Sequence, residues 1–525
     1  MKILVSDDIS PNGMEIMKKA GLEVDVKINL KPDDLIKEIR NYEGLVVRSA
    51  TKVTADVINA ADRLKVIARA GSGLDNVDKV AATKRGIVVM NTPGGNTITT
   101  AEHTIALMLS LARLIPQATA SMKTGKWEKK RFMGVEVYNK TLGILGLGNI
   151  GSQVAKRAQG LQMNVIAYDP YLSEEKAGEL GVEIVDLVEL FRRADFISIH
   201  TPLTAETKGT INAESIKMMK DGVRIINCAR GGVINEKDLY DALVSGKVAG
   251  AALDVFEKEP PEGSPLIGLN NVIFTPHLGA STTEAQENVA IAVAEQIVDY
   301  FIHGTVRNAV NIPSVAPDVL PKIKPFIELA EKLGSFESQI FEGGINQVTV
   351  EYRGEVAELD TAPLTIAVLK GLLTPILLET VNFVNAPFIA RERGIEVKET
   401  KSSEAGNFVS LIGLKVLSGK KTGYVAGTLY NRRDPRMVQI DEFQVEAVPE
   451  GDMLVLSNND KPGVIGNIGT TLGNNNINIA RMQFGRERPG GRAISIVSVD
   501  TPVSEELLEK IKKLPNVISV KQIRL

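Results

Sequence analysis

Residues 141–170, TLGILGLGNIGSQVAKRAQGLQMNVIAYDP, constrain this chain more than any other stretch. Residues 142–145 form a short apolar run that reads as a buried strand. Gly146, Gly148 and Gly151 follow as G-x-G-x-x-G, then a helix over 150–161 and a second strand over 164–168 ending in Asp169. The glycines do three separate things: one permits a tight turn, one lets a pyrophosphate approach the backbone, and one lets helix and strand pack closely. The helix N-terminus offers unpaired N–H groups and a partial positive charge to phosphates. Asp169 lies where a carboxylate accepts from ribose hydroxyls. It would repel a 2′-phosphate, so the pattern favours NAD over NADP.

The same alternation extends both ways. Before the fingerprint, residues 3–6, 23–26, 44–47, 66–68 and 87–90 read as strands, with helical stretches such as 32–40 between them. Strands alternating with helices argue for a parallel sheet. Thr99-x-x-Glu102 reads as a capping box opening a helix over 103–114. After the fingerprint, 196–200, 224–228, 249–254 and 272–275 read as strands, and 281–302 as a long amphipathic helix returning the chain to its first domain. Residues 311–325 read as a linker. Beyond it, 326–340 and 362–384 read as helices, and 347–352, 408–416 and 424–429 as strands. The terminal order over 451–525 is β-α-β-β-α-β, the ferredoxin-like plan.

The expected fold is therefore α/β: two doubly wound parallel-sheet domains of Rossmann or flavodoxin type, then an α+β region and a ferredoxin-like unit. The boundaries fall at 1–98 plus 286–312 for a discontinuous substrate-binding domain, 99–285 for the dinucleotide-binding domain, 313–450 and 451–525. At 525 residues the chain exceeds what one core supports. A net charge of -3 gives no reason to expect nucleic acid or anionic membrane. The one cysteine, Cys228, excludes an intramolecular disulfide and a cysteine-cluster metal site. No apolar run approaches membrane-span length, and the expected location is the cytoplasm.

In open α/β sheets, ligands bind beyond the carboxyl ends of the strands. Asp169, Thr201, Arg230, Asp254, Glu259 and His277 each follow a predicted strand there. His277 is suited to exchanging a proton near neutral pH. A carboxylate against it would fix its tautomer, and spacing leaves both Glu257 and Glu259 open. Arg230, delivered into a glycine turn, offers a planar fork for a carboxylate. Cys228 reads as buried and inert. In the first domain, Arg69, Gly71, Ser72 and Gly73 form a turn able to present N–H groups to a carboxylate. Arg48 and Arg131 are candidates for a second anionic group.

These residues, with the stretches VVRSATKVT, ARAGSGLDNVD, NTPGGNT, GILGLGNIG, HTPLT, NCARGG, AALDVFEKEP and TPHLGAST, resemble the D-isomer-specific 2-hydroxyacid dehydrogenases. The likeness is greatest to the members that oxidise D-3-phosphoglycerate with NAD in serine biosynthesis. The terminal unit resembles an ACT domain, and 313–450 resembles the intervening domain of the long forms. The resemblance implies a catalytic triad of Arg230, Glu259 and His277, selecting Glu259 over Glu257. It also implies NAD contacts from Asn149, Ile150, Asp169, Thr201, Cys228, Ala229, Arg230, Asp254, His277, Leu278, Gly279 and Ala280. Arg131 would reach the site of a neighbouring subunit in a homotetramer, and L-serine would bind at Asn458, Asp460 and Asn478.

This chain departs from many relatives in having Asn149 for Arg, and from some in having Ser72 for Thr, Asn458 for His and Asp460 for Asn. Two other functions remain in view: a glyoxylate or hydroxypyruvate reductase, and an NAD-sensing binding protein.

Overall fold

A computed structural model describes residues 1–313, 319–377 and 381–525. The first sheet is parallel: β1 (Lys2–Val5), β2 (Glu23–Val26), β3 (Gly44–Val47), β4 (Val66–Arg69) and β5 (Val88–Asn91), in the order β2-β1-β3-β4-β5. The helix Thr283–Val298 returns to it, burying Val289, Ala290, Val293, Ala294 and Ile297 against the side chains of β1, β4 and β5. Its last turn widens into a π turn over Asp299–His303, where a continuous helix is expected from the sequence.

The helix Thr97–Arg113 carries the chain out of the first sheet and buries Ala101, Met108, Leu111 and Ala112 against the second. It starts earlier than the predicted capping box allows. Thr100 donates to the Gly279 carbonyl oxygen at 2.8 Å, and this buried contact draws the first turn inward. Thr99 is thus inside the helix, and Glu102 pairs with Arg157 at 3.2 Å instead of capping.

The second sheet is β6 (Thr141–Leu145), β7 (Asn164–Tyr168), β8 (Glu183–Ile184), β9 (Phe196–Ile199), β10 (Val223–Asn227), β11 (Val248–Leu253) and β12 (Val272–Phe274). All neighbours are parallel, in the order β12-β11-β10-β9-β6-β7-β8. The strand order reverses between β6 and β9, and a crevice opens at such a switch point.

The third sheet is mixed: β13 (Gln347–Gly354), β14 (Glu396–Ser402), β15 (Ser410–Ser418), β16 (Lys421–Tyr430), β17 (Asp434–Ile440) and β18 (Phe443–Ala447). Only β13 and β14 pair in parallel. The helices Leu320–Ile340 and Ala362–Leu373 cover it, contributing Leu329, Leu333, Phe336, Val368 and Leu372 to one core. Two sequence expectations change here. The predicted linker ends by Leu320, and residues 314–318 within it lie outside the described residues. Pro321 falls in the first turn of the helix, where a missing N–H costs least, whereas Pro325 lies inside it and removes one helical hydrogen bond. The predicted helix over 362–384 stops at Leu373, residues 378–380 lie outside the described residues, and a new helix runs Ala386–Glu392.

The fourth sheet is antiparallel: β19 (Asp452–Asn459), β20 (Ile479–Arg486), β21 (Arg492–Val499) and β22 (Val517–Arg524), ordered β20-β21-β19-β22. One face packs on its own helices through Leu454, Leu456, Ile468, Val497 and Ile511. The other face sends Met453, Ile496 and Ile523 into the core shared with the third sheet. The α/β class with a ferredoxin-like terminal unit is thereby realised. Among the described residues, no single helix is long and apolar enough to cross a membrane.

Candidate active site

Asp254, at the end of β11, is 1% exposed and organises the turn that holds His277. Its carboxylate accepts from the N–H groups of Leu278 at 2.7 Å and Gly279 at 2.8 Å, and from the Thr275 hydroxyl at 2.5 Å. His103 Nε2 lies 3.3 Å from the same carboxylate and 3.0 Å from the Thr275 hydroxyl. Burial opposes ionisation of Asp254, but His103, Thr275 and the Leu278 N–H together hold its carboxyl below the usual range. His277 takes a left-handed backbone, φ 55, unusual for a residue with a side chain. Its N–H is shared between the carbonyl oxygens of Asp254 and Thr275, each at 3.0 Å.

His277 Nδ1 lies 2.8 Å from Glu259 Oε2. The Phe256 N–H steadies the other oxygen at 3.2 Å. Of the two acids left open by spacing, Glu259 faces the imidazole. Glu257 instead accepts the Glu236 N–H at 3.0 Å, at the start of the helix Glu236–Val244. The hydrogen bond to Glu259 raises the His277 pKa above its ordinary value, against the opposing effect of burial. Burial also works against Glu259 ionising, yet the hydrogen bond and charge of His277 leave its carboxyl below the usual range.

Arg230 leaves the end of β10 and reaches the first domain. Its Nε pairs with Asp75 at 3.0 Å, and its Nη1 donates to the Ala229 carbonyl oxygen at 2.7 Å. The turn after β4 comes up so closely that a Cβ on Gly73 would collide with the Arg230 guanidinium. Arg69 donates to the Gly73 carbonyl oxygen, and its Nε to that of Arg48 at 3.3 Å. Two guanidiniums therefore flank one glycine, and burial first and Arg230 second lower the Arg69 pKa. The Gly71 N–H is occupied by Thr92 Oγ1 at 2.7 Å. Those of Ser72 and Gly73 have no partner among the described residues, and stay available to an anion. The Ser72 hydroxyl is turned to Asn96 at 2.9 Å.

Arg48 is anchored at its N–H by Asp7 at 2.6 Å, and its Nη1 donates to the Asp8 carbonyl oxygen at 3.0 Å. It joins the Arg69 cluster through its own carbonyl. Arg131 is not brought there. It lies on the turn Lys129–Phe132, 60% exposed, paired with Glu128 at 3.1 Å.

The crevice between β6 and β9 has the form of a dinucleotide cradle. A Cβ on Gly151 would collide with the Gly146 carbonyl oxygen, so helix and turn meet at backbone distance. Gly148 faces open space at the start of the helix Asn149–Gly160, which has no side-chain cap among the described residues. Asn149 and Ile150 follow in its first turn. Thr201 closes the other side, with its methyl 3.0 Å from where a Gly146 Cβ would stand. Asp169 accepts the N–H groups of Leu147 at 2.8 Å and Tyr171 at 2.9 Å, which sets its carboxylate beside the glycine turn. An uncapped helix start, an open glycine and a carboxylate at the neighbouring strand end fit a dinucleotide. Cys228 is buried beside it, and burial pushes its thiol up to about 12, so it stays protonated.

Sequence reasoning singled out neither Asp75 nor His103. Asp75 stands within ARAGSGLDNVD, but its partner is 155 positions away. His103 was legible only as a helical residue.

In the terminal unit, Asn458 is 4% exposed; its amide accepts from Ser495 at 2.9 Å and donates to the Asn459 carbonyl oxygen at 3.1 Å. Asp460 accepts from Gly490 N–H at 3.1 Å and Arg486 at 3.3 Å. Asn478 precedes β20 rather than beginning it, and donates to Asp500 at 2.7 Å.

Residues 105–279 match the family model for the D-isomer specific 2-hydroxyacid dehydrogenase NAD binding domain. Residues 322–441 match the D-3-phosphoglycerate dehydrogenase intervening domain, and 453–516 the ACT domain. Similar curated proteins include D-3-phosphoglycerate dehydrogenase of Archaeoglobus fulgidus, 49% identical over 100% of both chains. The protein of that name from Bacillus subtilis is 44% identical over 100% of this chain and 99% of its own. Among solved structures, a glyoxylate reductase from Paecilomyes thermophila aligns with a TM-score of 0.55 at 30% identity, covering 59% of this chain and 98% of that one. D-Lactate dehydrogenase from Aquifex aeolicus, complexed with NAD and lactic acid, gives 0.52 at 30% identity, over 60% and 100%.

Proposed function

This chain belongs to the D-isomer-specific 2-hydroxyacid dehydrogenases, in the group named D-3-phosphoglycerate dehydrogenase, and we propose that Arg230, Glu259 and His277 carry its chemistry. It is an NAD-dependent oxidoreductase that converts D-3-phosphoglycerate to 3-phosphohydroxypyruvate, the first step of the phosphorylated route to L-serine. Its relatives match along the whole chain, which disfavours the reductase and NAD-sensor alternatives.

The observation that carries the mechanism is the Glu259–His277 pair opposite Arg230, at the junction with the Arg69–Gly73 turn. NAD, when bound, supplies the hydride acceptor. His277 takes the substrate hydroxyl proton at Nε2, leaving Nδ1 toward Glu259, whose carboxylate favours the resulting imidazolium. Arg230 binds the substrate carboxylate and the oxygen that becomes a carbonyl. The Ser72 and Gly73 N–H groups add donors, and Arg69 and Arg48 add charge for the carboxylate and phosphate.

Asn149 and Ile150 offer backbone N–H groups to the pyrophosphate. Asp169 accepts from ribose hydroxyls and disfavours a 2′-phosphate. Thr201, Cys228, Ala229, Asp254 and residues 277–280 wall the nicotinamide end.

Arg131 serves the site of a neighbouring subunit. The reading is supported by its place beside Trp127 and Met133, which are 81% and 82% exposed and suit burial against a second copy. The assembly is a homotetramer built as a dimer of dimers. L-Serine acts at Asp460 and Asn478, with Asn458 behind them, and the location is cytoplasmic.

The test is NADH formation by the purified protein with a panel of D-2-hydroxy acids. D-3-Phosphoglycerate should have the highest kcat/KM. A panel led by glycerate or glycolate would overturn the substrate assignment.

A further inference from the structure

A cleft of about 900 Å³ separates the first sheet from the region around Asn382 and Asn385. It lies at the amino ends of β3, β4 and β5, opposite the active-site turn at their carboxyl ends. One wall is the turn Ala61–Lys65 that leads into β4, and the turn Lys84–Gly86 that leads into β5. Four cations line it, Arg63, Lys65, Lys84 and Arg85, against two carboxylates, Glu43 and Asp62. Glu43 is already committed, accepting the Lys2 N–H at 2.6 Å and pairing with Arg63. Lys84 crosses the cleft to Glu392 at 3.1 Å and stacks on Phe388 at 4.9 Å. Asn382 donates to the Gly86 carbonyl oxygen at 2.9 Å. The two walls are thus tied at one end. Lys65 and Arg85 have no carboxylate partner among the described residues, and Arg85 has only the Ala61 carbonyl oxygen at 3.2 Å.

We propose that this cleft binds a small dianion of the phosphate class, held by Lys65 and Arg85 on the first-sheet wall. With Arg63 paired to Glu43 and Lys84 to Glu392, Asp62 is left against Lys65 and Arg85, and the remaining net positive charge concentrates counter-ions. A planar guanidinium and a mobile ammonium together match the oxygens of one phosphate. β4 links the cleft to the substrate turn. At roughly 3.3 Å per residue its length places Arg69 about 13 Å from Lys65. An anion in the cleft and substrate at Arg69 therefore load opposite ends of one strand. An anion bound there stabilises the folded cleft by mass action.

The experiment is thermal unfolding of the full chain without NAD, at constant ionic strength, with sodium phosphate in one arm and glycerol 2-phosphate in another. Wild type and Arg48→Ala should both gain Tm with phosphate and not with chloride. Lys65→Gln/Arg85→Gln should need at least about tenfold more phosphate for the same gain, the usual scale for losing charge-assisted bonds. Response to phosphate alone assigns the site to the free ion, and stronger response to glycerol 2-phosphate assigns it to a monoester. Arg85→Lys keeps the charge and should retain part of the gain, which covers a double variant that folds poorly. An undiminished gain in the double variant, a gain abolished by Arg48→Ala, or no gain in wild type in either arm would overturn the proposal.

Discussion

Nδ1 of His277 and Oε2 of Glu259 stand 2.8 Å apart, while the Phe256 N–H holds the other Glu259 oxygen in place. The pair raises the His277 pKa. Oxidation requires the neutral imidazole, so its rate rises with pH through that raised value. In Glu259→Gln the imidazolium loses its partner, and the rise should move to lower pH while the reverse reduction loses activity near neutrality. The pH–rate profiles of both directions check this. An unmoved profile would leave Glu259 without this part.

The role proposed for Asp169 in cofactor choice is twofold, as a ribose acceptor and as a negative charge. Asp169→Ala should raise the KM for NAD by about tenfold, the scale of a lost charged hydrogen bond, and narrow the preference over NADP. Steady-state kinetics with both cofactors decide it. A wild type equally active with NADP would contradict the reading.

Arg48 sits in the Arg69 cluster, whereas Arg131 lies on an exposed turn of the same chain. Both substitutions to Ala should raise KM for D-3-phosphoglycerate by about tenfold or more, and change an unphosphorylated 2-hydroxy acid much less. Only the Arg131→Ala defect should be complemented by mixing with a subunit inactive through His277→Ala. Equal KM changes on both substrates would remove the phosphate role.

Serine regulation is best tested by point variants. Met453, Ile496 and Ile523 are buried in the core shared with the third sheet, so deleting the terminal unit would expose that core. L-Serine should inhibit the wild type, and Asp460→Ala and Asn478→Ala should each weaken inhibition by about tenfold. Wild-type activity unchanged at millimolar serine would assign this unit another ligand or a purely assembling role.

What the sequence made legible was local. G-x-G-x-x-G with Asp169 spans one strand-helix-strand unit, and the close approach of Gly151 to Gly146 and the Leu147–Asp169 hydrogen bond that shape its turn lie within it. Partners far apart in sequence were not visible. Asp75 meets Arg230 where the two sheets face each other, and His103 meets Asp254 because the helix Thr97–Arg113 packs on the second sheet. Thr99-x-x-Glu102 had the pattern of a cap, but the contact of Thr100 with Gly279 started the helix sooner. Glu337 is hidden as well: it sits in the third sheet's core with no hydrogen-bond partner for either oxygen among the described residues, and burial lifts its carboxyl to about 8. No periodicity distinguishes such an acid from a surface one.

The central claim is that His277 is the base that takes the hydroxyl proton. The measurement is kcat of His277→Ala for D-3-phosphoglycerate oxidation, alongside NADH binding by fluorescence. The account predicts a loss of about a hundredfold or more, the usual contribution of a general base, with NADH affinity nearly unchanged. Turnover within a few-fold of wild type would contradict it.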